Sequence, residues 1–372
     1  MISVDEGTFL LIVSSAALAA VLVAVVPGRL APPVVVVEIM LGILIGPQVL
    51  GWAHVDGFTD FFQDLGLGML FFFAGYELDF DRIRGRPLTL GVWGWLISIA
   101  LAYGIGGVLT AAGVVLSFLF TGSAMATTAI GTLIPILRDA GELRTRFGTY
   151  LLGAGGVGEF GPVLLITLVL SSKQPLHEAL ILLAFVAVAV ALALGSVRVA
   201  WRGWPVLERT FESSSQLAVR LAVVLVFALV ALATDLGLDV LLGGFVGGMI
   251  TRAALRGHEV NVLESKLAAV GFGFLVPFFF IASGMEFDLD ALGEVETMLK
   301  LPLFFVLFLI VRGTPALLLY RKVLAARDRV ALAFSWRPSC RWLWRSRRWR
   351  WVRGTCAARP PRRWSAPRCS PP

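Results

Sequence analysis

Histidine is scarce in this chain. Its three copies, His54, His177 and His258, all fall outside the long apolar runs, so no membrane-forming stretch holds an imidazole for a metal or for the base of a nucleophile. An intramembrane enzyme would therefore lack its working groups. No Gly-x4-Gly-Lys-Ser/Thr phosphate loop is present, which argues against an ATP-driven pump. The three cysteines are confined to the last stretch, beyond Ser335, and describe no disulfide framework. Charged residues make up 15% of the chain against 58% hydrophobic, with a mean hydropathy of +0.84, too little polar surface for a water-soluble protein. The expectation is an all-α polytopic membrane protein with no cofactor, no metal site and no nucleic-acid partner.

Eleven apolar runs are long enough to be read as spans of a bilayer ~30 Å thick. They are Gly7–Pro27, Pro32–Leu50, Phe61–Leu78, Leu88–Thr110, Ala112–Leu137, Gly148–Leu170, Glu178–Ala200, Gln216–Asp235, Leu238–Ile250, Leu267–Met285 and Lys300–Tyr320. The first lacks the basic region and small-residue cleavage site of a removable signal and is read as a retained span. If the spans alternate, Arg29, Arg82–Arg86, Arg138–Arg146, Arg198–Arg209, Arg252–Arg256 and Arg321–Arg329 all fall on one side. Trp52–Asp60, on the other side, holds no Lys or Arg, and Ser171–His177 holds one, Lys173. By the excess of basic residues in cytoplasmic loops, the N-terminus is expected outside.

Two stretches 209 positions apart read almost alike: LFFFAGYELDFD at Leu70–Asp81 and FFIASGMEFDLD at Phe279–Asp290, each closing an apolar run on Gly-x-Glu-x-Asp-x-Asp. Their parent spans are the third and the tenth of the eleven, seven steps apart, so the first copy runs from outside to inside and the second the other way. Inverted repeats of this kind build secondary transporters, with the substrate site near the midplane where interrupted helices meet. The acidic triplets themselves, Glu77, Asp79, Asp81 and Glu286, Asp288, Asp290, stand at span ends, where capping and solvation account for them.

Ionisable residues deep in a span cost ~2.5–3.5 kcal/mol each on insertion scales, which makes them functional candidates. Glu159 lies at the centre of its span in GAGGVGEFGP, and Arg312 near the centre of another in LIVRGTPAL. A buried carboxylate can bind a proton or a bare cation but not both at once, which is a minimal mechanism for cation/proton exchange. Arg312 would balance Glu159 when no cation is bound, although a permanent Glu–Arg clamp would read the same way. The span before Glu159 holds GSAMATTAIGTLIP, where Pro135 removes a backbone donor and the Thr127 and Thr128 hydroxyls could join freed carbonyls around a cation; it is expected to be a broken helix. A kinked helix with its threonines bonded back to the backbone is the alternative. Glu38, in VVVVEIMLGILIGP, is either a gate carboxylate or an interhelical hydrogen-bonding group, and Arg220 is near enough to a boundary to snorkel.

From Ser335 to Pro372 the composition changes: eleven of the 32 Lys and Arg, six of the eleven Trp, and no acidic residue. Without this segment the balance is 21 basic to 25 acidic. A basic, Trp-bearing segment suits a membrane surface. Read one base out of frame, however, its Trp, Cys and Ser codons become apolar and its Arg and Pro codons become Ala, Thr, Ser or Pro, which restores a membrane pattern. The expected organisation is an exchanger domain over residues 1–334 and an out-of-frame segment over 335–372 that replaces a twelfth span, leaving the second repeat incomplete.

The strings EIMLGILIGPQVLG, GMLFFFAGYELDFDRIR, ATTAIGTLIPILRDAG, GEFGP and VPFFFIASGMEFDLDAL resemble the monovalent cation:proton antiporter family, in the branch of bacterial sodium/proton antiporters and potassium efflux transporters. The resemblance covers about residues 8–334. It implies an inverted-repeat fold with two crossed broken helices, a mobile core domain that moves like an elevator, and a dimerisation domain, hence a homodimer in the cell membrane exchanging Na⁺ or K⁺ for H⁺. Glu159 falls where many members carry Asn-Asp, Asp-Asp or Gln-Asp, and Arg312 on the span where members carry a buried Lys or Arg. Gly158-Glu159 offers one carboxylate rather than two, which leans toward one-for-one, electroneutral exchange. A sodium-coupled organic-anion symporter of related fold and an inactive truncated antiporter are the competing readings.

Overall fold

The computed structural model describes residues 5–27, 32–77, 83–115, 117–128, 130–169, 175–201, 216–255, 258–290 and 295–334. Among these, every regular element is helical. Helix α1 (Glu6–Val25) starts on Asp5, whose carboxylate accepts from the Gly7 amide at 3.0 Å and the Thr8 hydroxyl at 2.8 Å. The Thr8 hydroxyl and amide, with the Gly7 amide, hold Asp5 below the usual carboxylate range. Asp56 caps α3 (Gly57–Glu77) in the same manner, accepting from the Thr59 amide at 2.8 Å. Between them α2 (Val34–Ile45) is shorter than the apolar run that contains it, because Pro33 fixes its start and the chain turns out at Gly46-Pro47.

Helix α4 (Arg86–Ala111) follows, with Pro87 in its first turn. The next apolar run is two half-helices, α5 (Phe118–Ala126) and α6 (Ile130–Asp139), so the expected break is present. Its position differs from what the prolines suggest: Pro135 lies inside α6, and the interruption falls at Thr127–Thr128. Then come α7 (Arg146–Val169), α8 (Pro175–Trp201), α9 (Leu217–Asp235) and the short α10 (Val240–Ala254), capped by Asp239. The tenth span starts earlier than its hydropathy indicates: α11 (His258–Val270) runs through a π-helical turn, Gly271–Leu275, into α12 (Val276–Met285). A wide turn of this kind realigns the faces of the two halves. Helix α13 (Val295–Leu319) ends in a 3₁₀ turn, Tyr320–Lys322, and α14 (Ala326–Phe334) packs back on it, a helix the apolar pattern does not indicate. Residues 335–372 lie outside the described residues.

Five helices among the described residues are long and apolar enough to cross a membrane: Glu6–Val25, Arg86–Ala111, Leu217–Asp235, Val262–Met285 and Lys300–Lys322. The rest of the eleven expected spans are present as helices that are shorter, broken or more polar. Many apolar side chains point outward, among them Leu10, Val25, Trp93, Leu183 and Val224, as a lipid-facing surface requires.

The helices fall into two groups. In the first, α3 packs on α10, α12 packs on α2, and α1, α9 and α11 fill in around them. In the second, α4 is the hub for α5, α7 and α13. An apolar cluster joins the groups, with Phe71 and Ala74 of α3 against Leu133, Ile134 and Leu137 of α6.

The inverted relation of the two motif copies is visible in their partners. Gln63, in the early part of α3, donates to Glu286 at 2.8 Å, whereas Glu77, at the far end of the same helix, accepts from Arg138. The two glutamates are therefore at opposite ends of the bundle. The helix contacts are also exchanged between the copies: a methyl group on Gly75 would collide with the carbonyl of Phe245 on α10, and one on Gly284 with the carbonyl of Ile39 on α2. Each copy thus lays its glycine against a helix of the other repeat.

Candidate functional site

The break in the fifth span is held open by a hydrogen bond to a neighbouring helix that a continuous helix could not make. Thr127 is extended (φ −78°, ψ 150°), and its hydroxyl turns back to the Ser123 carbonyl at 2.9 Å. The Thr128 amide donates across to the carbonyl of Gly158 on α7, at 3.0 Å. That carbonyl is available because the residue four positions on is Pro162, which has no amide hydrogen to give it. The string GEFGP therefore does two things at once: Pro162 frees an acceptor, and the freed acceptor pins the broken helix beside Glu159.

Side chains converge at the same point. A methyl group on Gly158 would collide with the Thr128 hydroxyl and come within 2.7 Å of Arg312 Nη2, so both groups approach this face of α7 through the gap the glycine leaves. Glu159 is next along the helix and buried, as are Thr128 and Arg312. Glu159 is also the charge that acts on the Arg312 guanidinium. The Thr128 hydroxyl is buried without a hydrogen-bond partner among the described residues, leaving its oxygen free to accept a cation. The C-terminal end of α5 and the N-terminal end of α6 meet here as well, bringing carbonyl and amide dipoles to one place.

The surrounding packing fixes this geometry. Gly161 lies against the Trp95 ring and Gly91 against the Gly153 carbonyl, which brings α4 and α7 into close contact. The Ser98 hydroxyl donates to the Val311 carbonyl at 3.1 Å, setting the rotation of α13 one residue before Arg312. On the other side of Arg312 is a cavity of about 40 Å³ lined by Trp95, Ser98, Ala154, Tyr320 and Leu332. Trp95 Nε1 and the Tyr320 hydroxyl are buried there without partners among the described residues, and a cavity of this size and polarity suits ordered water.

Of the residues singled out from sequence, the structure brings together Thr128, Glu159 and Arg312, with Thr127 at the break. Glu38 is elsewhere: it is buried on α2, which packs on α1 and α12. Sequence reading missed three groups. The Gly158 carbonyl could have been found from Pro162 four residues later. Trp95 and Tyr320 carried no signal of their own, because an aromatic in an apolar run reads as core or lipid contact. No cluster of three or more His, Cys, Asp or Glu able to hold a metal occurs among the described residues.

Comparison with known proteins agrees with this architecture. The sequence model of the sodium/hydrogen exchanger transmembrane region matches residues 14–342. An Na⁺/H⁺-K⁺ antiporter of Bacillus cereus, GerN, is 25% identical over 278 residues, covering 72% of this chain and 68% of its own. A probable Na⁺/H⁺ antiporter of the same organism, GerT, is 26% identical over 279 residues, covering 72% and 70%. Among solved structures, the sodium proton antiporter MjNhaP1 from Methanocaldococcus jannaschii superimposes with a TM-score of 0.55 over 88% of this chain and 82% of that one, at 16% identity, a likeness of fold.

Proposed function

This chain belongs to the sodium/hydrogen exchanger transmembrane family, and from that premise we propose that it exchanges a monovalent cation, Na⁺ or K⁺, for H⁺ by competition at Glu159. The observation that carries the reading is the approach of Thr128 and Arg312 to α7 at Gly158, next to the buried Glu159, at a helix break. An ionised Glu159 takes a partly dehydrated cation whose remaining shell is completed by oxygens of Thr127 and Thr128. A proton arriving at the same carboxylate removes its charge and releases the cation. Arg312 balances the carboxylate in the interval when neither ion is bound, so the empty site does not bury an isolated negative charge. A single carboxylate exchanges one charge for one charge, and the cycle is electroneutral.

Access alternates by movement of the α4–α7 and α13 group against the group built on α3, α10, α2 and α12. The protein works as a homodimer in the cell membrane with its N-terminus outside and its arginine-rich loops in the cytoplasm. Residues 1–334 form the exchanger domain, and 335–372 are translated out of frame.

The test is proton movement in proteoliposomes loaded with a pH-sensitive dye and pulsed with Na⁺, K⁺ or Li⁺. Glu159→Gln is expected to abolish cation-driven proton movement while inserting and folding normally, and Glu159→Asp to retain exchange with a shifted pH profile. Unchanged exchange in Glu159→Gln would move the coupling proton to another group, Glu38 being the next to replace. Sodium-dependent uptake of an organic anion without proton movement would replace the exchange reading by symport.

A further inference from the structure

Arg138, in the last turn of α6, reaches across the gap between the two groups of helices. Its Nη2 donates to Glu77 Oε1, the last residue of α3, at 2.5 Å, and lies 3.3 Å from Glu264 Oε1 on α11. The guanidinium also lies over the Phe272 ring at 5.0 Å and the Phe73 ring at 5.5 Å, so the α3 and α11–α12 side encloses a charge carried by α6. The side chains of Arg138, Glu77 and Glu264 are 24%, 13% and 23% exposed, which spares the pairs most of the solvent screening that weakens surface ion pairs.

What distinguishes this cluster from an ordinary ion pair is the element that carries it. Helix α6 begins immediately after the Thr127–Thr128 break and runs without interruption to Asp139, with Leu133, Ile134 and Leu137 packed into the apolar cluster that joins the two groups. It is a short rod with the ion site at one end and Arg138 at the other. A displacement at either end is felt at the other, which is the physical requirement for coupling. The acidic side also has alternative partners: Arg144 and Arg252 are near enough to act on Glu264, and Arg252 lies over the Tyr76 ring at 5.8 Å. Glu264 would thus not be stranded if Arg138 moved away. In the second motif copy the matching Glu286 is exposed and accepts from the Gln63 amide.

We propose that Arg138 is a latch, a positioning residue that holds α6 to α3 and α11 and closes the passage to Glu159 at the arginine-rich end of the bundle. Opening that end releases Arg138 from Glu77 and exchanges its contact with Glu264 for contacts of that carboxylate with Arg144 and Arg252. This rests on the reading of the Glu159 region as the transport site, but its test needs no transport.

In a chain with Cys340, Cys356 and Cys369 replaced by Ser and Thr127 by Cys as the reporter, labelling by a membrane-impermeant maleimide is followed from each face of oriented vesicles. Arg138→Gln is expected to speed labelling from the arginine-rich face at least about fivefold, the lower end of typical coupling between sites, and to leave the other face unchanged. The charge swap R138E with E77R should bring the rate back to within about twofold of the parent. Should Arg138→Gln fail to insert, Glu77→Gln removes one of the two ion pairs and should accelerate labelling in the same direction. Labelling that stays at the parent rate in whichever variant inserts, or that the swap does not slow, overturns the latch.

Discussion

The glycine-packed pairs and the broken-helix site are built on opposite terms. In α3–α10 and α2–α12 the backbones touch: methyl groups on Gly75, Gly248, Gly42 and Gly284 would collide with main-chain carbonyls across the contact, and Phe72, Phe73 and Ile281 beside them are fully buried. Around the break, Gly158 makes room for side-chain groups instead, a hydroxyl and a guanidinium, with a carboxylate next to it and a small cavity that Arg312 helps to line. The first region packs main chain on main chain and cannot be loosened by degrees, because main-chain atoms have no rotamers to give way. The second holds its charges by mutual compensation and can change occupancy without repacking. Main-chain contacts and compensated charges thus lie on different helices.

That contrast can be broken at its rigid side first. Gly75→Leu is expected to abolish insertion and yield, because the Phe245 carbonyl cannot withdraw and overpacking of several methylenes exceeds the ~1–3 kcal/mol typical of one. Gly107→Leu on α4, where nothing lies within 4 Å, should leave yield and melting temperature at or above the parent, since leucine is the better helix former. Equal loss of yield in both would mean that bulk, not backbone contact, decides. Next comes the compensated side: Arg312→Ala leaves Glu159 buried without its counter-charge and should lower stability by ~3–5 kcal/mol, read as melting in detergent. Adding Glu159→Gln to Arg312→Ala should recover most of that loss without recovering exchange. A double variant no more stable than Arg312→Ala would show that the arginine stabilises α13 by packing rather than by charge.

Much of this was legible in the chain, and the exceptions have physical reasons. Hydropathy marked most of the helices, because apolar length is a property of each segment alone. The inversion was legible too, since Glu77 and Glu286 match in phase and their parent spans, the third and the tenth, cross in opposite senses. Thr127 and Thr128 were marked by the run GSAMATTAIGTLIP, but the proline in it misdirects: Pro135 is accommodated within α6, and the helix parts where Thr128 finds an acceptor on α7. That acceptor depends on a residue of a different helix, which periodicity within one segment does not register. The same holds for Arg138, read as a loop charge marking orientation, whose partners lie 61 and 126 positions away in Glu77 and Glu264. Helix α14 was missed because Arg327, Asp328 and Arg329 break its apolar pattern, although its Leu332 and Ala333 are buried against α13.

The central claim is that proton and cation compete for one carboxylate, and the measurement closest to it is the exchange rate as a function of cation concentration at a series of pH values. With a single shared site, the apparent KM for the cation rises about tenfold for each unit of pH below the carboxylate's pKa while the maximal rate stays constant, one proton displacing one cation. A KM that stays flat across that range while the maximal rate falls would contradict it, placing the coupling proton on a group other than the one that holds the cation.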